Sequence, residues 1–173
     1  AGLYDEQGDA RVAMLRETDG RARVGVLGVG DEASAVLAAF PDGRSELGLY
    51  DAQGQARAAL DAAPDGTSTL AFYDTQGTER AVFAARPNGE ARLTFNDTRG
   101  EARAAVGTGE DGAPALGLRD AGGVPRVALA LGEAEAPTLN LYDADGRGRA
   151  GLTLSPAGNG RLEMVDSAGQ GRA

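Results

Sequence analysis

An aspartate recurs every 23 residues along this chain, followed three positions later by a glycine and six positions later by an arginine. Asp51, Gly54 and Arg57 set the pattern D-x-x-G-x-x-R. It returns at Asp74, Gly77 and Arg80, again from Asp97, Asp120, Asp143 and Asp166, and it already stands at Asp5, Gly8 and Arg11. Such columns suggest several chemistries. Asp143-Ala-Asp145-Gly146 opens like a calcium loop, where alternate carboxylates and a glycine bend surround the ion. It lacks the remaining ligands, and a turn aspartate needs no metal to account for it, so no metal ligand is expected. Arg57, Arg80, Arg103, Arg126 and Arg149 could recognise a carboxylate or sulfate polymer. Stacked arginines repel unless carboxylates intervene, and the aspartate of an adjacent turn is the expected partner. A carboxylate pair could hydrolyse glycosides, yet every carboxylate here recurs with the turn pattern. The chain has no histidine, cysteine or lysine to serve as base or nucleophile. No catalytic and no cofactor-binding residue is expected, and the chain is read as a non-enzyme.

Tyr4, Tyr50, Tyr73 and Tyr142 precede the turn aspartate and should face away from the leucine beside them. An aromatic column of this kind can stack on sugar rings or pack between chains, although Asn96 and Arg119 interrupt it. The second copy departs most, with Gly28, Asp31 and Ser34 where aspartate, glycine and arginine stand elsewhere. Its glycines do not open a helix, which excludes a phosphate-binding loop, and a local bulge or drift is expected there. Glu135 in place of a turn glycine is read the same way.

The elements that must carry these columns follow from alternation. Each copy holds one short run such as Leu47 and Leu49, and a second such as Ala58 and Leu60, apolar at every other residue. Period-two alternation over so few residues predicts half-buried strands with one apolar face. No window carries a helical apolar stripe. Between the runs, Asp51 suits the first position of a type I turn and Gly54 the fourth. The other connection is built on Asp42-Gly43, Asp65-Gly66, Asn88-Gly89 and Asp111-Gly112, often after Pro41, Pro64 or Pro87. A copy is therefore strand, tight turn, strand, tight turn. With small residues such as Ser45 and Ser68 beside the leucines, one copy cannot bury enough apolar surface to stand alone. Neighbouring copies and neighbouring chains must supply the rest.

The organisation expected is one continuous array over residues 1–173, about seven and a half copies with no insertion, as a segment of a longer chain. The fold class is all-β, with tandem 23-residue two-strand repeats. Three architectures accept the pattern. A single-chain β-solenoid advances one strand spacing per copy, roughly 36 Å in all. An antiparallel meander would reach roughly 70 Å, and an intertwined three-chain β-helix on the order of 100 Å. The constant register and thin interior favour an elongated β-helix or β-solenoid fibre, an intertwined homotrimer first. The single-chain solenoid and the antiparallel meander are the alternatives.

The net charge of −9 disfavours nucleic acid and anionic membranes as partners. No apolar run approaches the ~20 residues of a membrane-spanning helix. The Y-D-x-x-G cores, Tyr50 to Gly54 and Tyr73 to Gly77, resemble the YD repeats of bacterial RHS-type surface and toxin-shell proteins, and Tyr142 to Arg147 carries their Gly-Arg ending. The whole copy, L-x-L-x-D-x-x-G-x-x-R-A-x-L, looks like tandem β-repeats of bacterial surface proteins and phage-type fibre shafts. That resemblance implies a structural component of an extracellular, cell-surface or virion fibre: a stiff spacer or filament subunit that self-associates as a homotrimer or filament. The second expectation is an adhesin-like array that binds glycan or protein through its tyrosine and arginine columns.

Overall fold

A computed structural model describes residues 1–28 and 33–172. The chain is all-β and divides into two compact units, Ala1–Pro87 and Asn88–Ala173. The first holds β1 (Gly2–Tyr4), β2 (Ala10–Arg16), β3 (Ala22–Leu27), β4 (Ala33–Ala39), β5 (Ser45–Tyr50), β6 (Ala56–Ala62), β7 (Ser68–Tyr73) and β8 (Glu79–Ala85). The second holds β9 (Ala91–Asn96), β10 (Ala102–Thr108), β11 (Pro114–Arg119), β12 (Pro125–Leu131), β13 (Pro137–Tyr142), β14 (Gly148–Leu154) and β15 (Gly160–Met164). Within each unit every strand pairs antiparallel with the strand next to it in sequence, β1 to β8 in one and β9 to β15 in the other.

This is the meander, and it corrects the preference for a β-helix or β-solenoid, intertwined or single-chain. In a single-chain coil each strand would pair with its equivalent one copy along, and in an intertwined one with a strand of another chain. Here the turns decide otherwise. The N–H of Gly54 donates to the carbonyl of Asp51 at 3.0 Å, and the N–H of Asp51 donates to the carbonyl of Gln55 at 3.0 Å. Gly66, Ala63 and Thr67 repeat the arrangement at 3.0 and 2.8 Å. That is a type I turn closed by a glycine in the left-handed region, φ 72° at Gly54 and 88° at Gly66, a hairpin connection that folds a strand straight back onto its neighbour. A turn this tight leaves no length for a crossover to a parallel strand.

The alternation reads out as expected along each strand. In the first unit Met14, Val24, Leu37, Leu47, Leu60, Leu70 and Phe83 line up across seven strands in direct register. Leu93, Val106, Leu116, Leu129, Leu139, Leu152 and Leu162 do so in the second. These leucines were expected to fill a narrow interior. Among the described residues they stay open within their own unit: Leu60 is 48% exposed, Phe72 48% and Leu129 47%. Among the described residues the buried apolar side chains are three alanines, Ala38, Ala58 and Ala71. Each unit is a single layer with two faces, one leucine-rich and one mostly of small and polar residues, which in the first unit also carries Leu15, Val36 and Val82.

Candidate functional site

The turns of each unit alternate between two edges, and the edge that carries the aspartate column holds the densest polar chemistry. One carboxylate oxygen of Asp51 accepts the backbone N–H groups of Gln53 at 3.0 Å and Gln55 at 2.9 Å. Asp143 does the same for Asp145 and Arg147, both at 2.9 Å, and Asp120 for Gly122 and Val124 at 2.9 and 3.0 Å. The second oxygen receives the arginine six residues on. Arg11 reaches Asp5 at 2.6 Å, Arg126 reaches Asp120 at 2.9 Å, Arg149 reaches Asp143 at 2.5 Å, and Arg57 holds Asp51 in the same way. A carboxylate has about four acceptor sites, and here they serve the turn. The calcium-like start at Asp143 is thus already engaged by three N–H donors.

The arginine partner differs from the expected one. The carboxylate comes from the arginine's own turn, and the adjacent turn contributes backbone carbonyl oxygen instead. Arg57 donates to the carbonyl of Asp74, Arg149 to that of Asp166, and Arg11 to that of Gly28 at 2.8 Å. Arg103 reaches the carbonyl of Arg119 at 2.9 Å. Each of these four arginines therefore ties two successive copies along one edge.

A β-bulge sets its position, and the sequence reading passed it over. Tyr50 pairs with Ala56 but Leu49 pairs with Ala58, so Arg57 is the extra residue. Arg11, Arg80, Arg103, Arg126 and Arg149 occupy the same place in their hairpins. A bulge re-aims the side chain it carries, here along the edge towards the next turn. The signal was present in the odd period of 23 residues. Faces alternate every two residues, so with the same turn at both ends of a copy an odd period keeps leucine on one face only if one residue per copy stands outside the alternation.

The irregular copy obeys the backbone rule and drops the charges. Ser34 stands at the bulge between the Leu27–Ala33 and Val26–Ala35 pairs. Gly28 still accepts Arg11 because that bond needs only a carbonyl. Asp31 lies outside the described residues. Ala134 and Glu135 both take left-handed backbone, φ 53° and 60°, which a non-glycine residue adopts with strain.

Electrostatics agree with the geometry. The carboxyls of Asp51, Asp97, Asp143 and Asp166 sit below the ordinary aspartate range, first because a backbone N–H of the same turn binds the charged form. Partial desolvation opposes this, and a nearby guanidinium reinforces it. For Asp5, Asp74 and Asp120 partial desolvation is the largest single influence, yet N–H donors and arginine together still lower the value.

The tyrosines lie on the face opposite the leucines, and Tyr50 and Tyr4 are folded flat along it. A Cβ placed on Gly48 would come within 2.6 Å of the Tyr50 hydroxyl and 2.9 Å of its Cζ, so the ring rests on the glycine two residues earlier. Tyr4 lies over Gly2 in the same manner, 3.4 Å to the hydroxyl. Burial raises the Tyr73 hydroxyl above its usual value, helped by the charges of Glu79, Asp61 and Glu46. On the other edge of the first unit, Phe40 packs under the Arg44 guanidinium at 3.7 Å with Arg21 at 5.5 Å. Arg44 also reaches Glu46 at 3.1 Å and Asp61 at 3.2 Å. The sequence reading missed this cluster. Its one signal was Phe40 standing at a turn head where other copies have Glu17, Ala63, Gly109 or Ser155.

Neither a family model nor a curated protein sequence matches the chain. Among solved structures it is similar to the TCP domain of SAS-4 (dCPAP) from Drosophila melanogaster, determined in complex with a proline-rich motif of Ana2 (dSTIL). The TM-score is 0.50 at 9% identity, over 90% of each chain. The wild-type TCP10 domain of Danio rerio CPAP aligns at a TM-score of 0.39 and 14% identity, over 99% of this chain and 92% of that one. At such identity the first likeness is one of fold, an antiparallel all-β array.

Proposed function

We propose that the chain is a structural component of an extracellular, cell-surface or virion fibre, a stiff spacer that works by self-association and not by turnover. One observation carries this reading: the aspartates, arginines and turn glycines repeat in register, and their hydrogen bonds hold strand to strand and copy to copy. Chemistry spent on connecting identical copies suits a spacer, whose length is its product. The homotrimer or filament suggested by the sequence pattern is one form such self-association can take. The test is elongation. Two additional 23-residue copies inserted in register should lengthen the particle by roughly 19 Å in small-angle scattering, at ~4.8 Å per strand. A particle that grows equally in all directions would overturn the reading.

A second reading, binding, is favoured by the tyrosine face alone, since the arginines are engaged along their edge. Tyr50 resting on Gly48 makes a smooth apolar platform on the face opposite the leucines, suited to a sugar ring or an extended peptide. The fold neighbour from Drosophila was solved with a proline-rich motif. Glycan arrays and titration with a proline-rich peptide, each lost on Tyr50→Ala with Tyr73→Ala, would establish it. No binding by the intact chain would remove it.

A further inference from the structure

The leucine face is the largest feature the hydrogen-bonded edges leave unexplained. Among the described residues, the large apolar side chains that remain exposed, apart from Tyr4 and Leu15, belong to the leucine face of one unit or the other. Among the described residues of the first unit the one charged residue in its rows is Arg16, at the rim, paired across to Ala22. Proteins rarely leave an apolar patch beyond a few hundred Å² open to water. Eight strands at ~4.8 Å, crossed by apolar rows over roughly 20 Å of strand, make a face of roughly 700 Å² in the first unit.

We infer that this face is covered by the same face of a second copy of the chain, two single-layer sheets closing on one another as a sandwich. The inference rests on the structural reading above and gives it a partner and a number. Opposed faces of roughly 700 Å² bury roughly 1,400 Å² per unit, within the ~1,200–2,000 Å² of a stable specific interface. A cover must also match the rows. They are apolar at every second residue and recur at the strand spacing without interruption, and the surface described here with that periodicity, polarity and extent is the leucine face itself. A self-complementary patch is what a two-fold pair requires. Sheets in such a pair stand ~10 Å apart, a gap that leucine and phenylalanine side chains from both sides fill. Because every strand is paired within its own chain, two copies need exchange no strand to close.

Light scattering on the intact chain at micromolar concentration should give the mass of two chains. Leu60→Asp with Leu129→Asp should reduce it to one chain, weakening self-affinity at least ~100-fold by placing charge in the dry layer, with the far-ultraviolet strand signal kept. Thr69→Asp with Asn140→Asp, on the opposite face, should leave the pair intact. Since the chain has no cysteine, single cysteines give a second measure independent of those variants. Leu60→Cys should react with a maleimide at least ~100-fold more slowly than Thr69→Cys, as protection of a covered face demands. A wild-type mass of one chain or of three, or equal reactivity of the two cysteines, overturns the inference. A one-chain particle that still lengthens with added copies would overturn the pairing and the self-association, and leave only the elongated spacer standing. A two-chain particle that fails to lengthen would do the reverse.

Discussion

The two edges of each unit use the same turn and hold it differently. On the arginine edge Asp51 heads the turn, accepts two backbone N–H groups, and receives Arg57 from the bulge behind it. On the other edge Asp65 sits inside the turn and accepts a single N–H, from Thr67 at 2.8 Å. There Leu60 pairs with Leu70 and Ala62 with Ser68 without a shift in register. Some neighbouring turns there touch through proline, a Cβ on Gly66 standing 3.3 Å from Cγ of Pro87 and one on Gly20 3.1 Å from Pro41, while Asn88 donates to Glu110 at 2.6 Å and Arg21 lies over Phe40. Identical backbone closure thus tolerates either an ionic staple or a stacked proline. The glycine in the left-handed region, common to both edges, closes each hairpin, and the side chains govern how one copy is tied to the next.

Deleting Arg57 should be the most damaging change, since it removes the bulge and sends Leu60 and the rest of β6 to the opposite face. Loss of cooperative unfolding in urea is expected, whereas Arg57→Ala, which keeps the residue count, should leave a cooperative transition at lower midpoint. If deletion and Arg57→Ala behave alike, the bulge is not what keeps the faces in phase. Next in size is the contrast between Asp51→Ala and Asp65→Ala. The first strands two N–H groups and an arginine, the second one N–H, so the first should lower the thermal midpoint about twice as much; equal losses would erase the distinction between edges.

Smaller, and opposite in sign, is Glu135→Gly. Relieving one left-handed non-glycine residue should stabilise the chain by about 1 kcal/mol, seen as a raised midpoint in urea. The mildest effect per residue is the acid response of the arginine edge. The folded-state values of Asp51 and Asp143 lie below the ordinary one. Their contribution is therefore full above the unfolded value of ~3.9 and is lost as pH falls through the lower folded values. Carboxyl titration by NMR should place Asp51 below ~3.9; a value at or above it would mean the N–H donors and arginine do not hold the charged form.

Much of this was legible in the residues alone. Alternation of Leu47 and Leu49 marks a strand and its apolar face, and Asp51 with Gly54 marks the turn, because both depend on local backbone geometry that any nearby neighbour leaves intact. The odd period also pointed to one residue per copy outside the alternation, and Arg57 is that residue. Strand pairing could not be read in the same way. Next-neighbour and copy-to-copy pairing present the same leucines to the same face, and only the closure of the hairpins separates them.

The sequence by itself determined the strands, the turns and which side chains share a face, since φ/ψ preference and period-two alternation act within a few residues. The tertiary structure decided the rest: that each strand pairs with the next, that Arg57 takes its carboxylate from its own turn and a carbonyl from the following one, and that the leucines face out of the layer uncovered. Those outcomes depend on distances across hairpins and between turns, from 6 residues apart, as Arg57 to Asp51, to 17 apart, as Arg57 to Asp74, and pattern along a chain carries no distance across it.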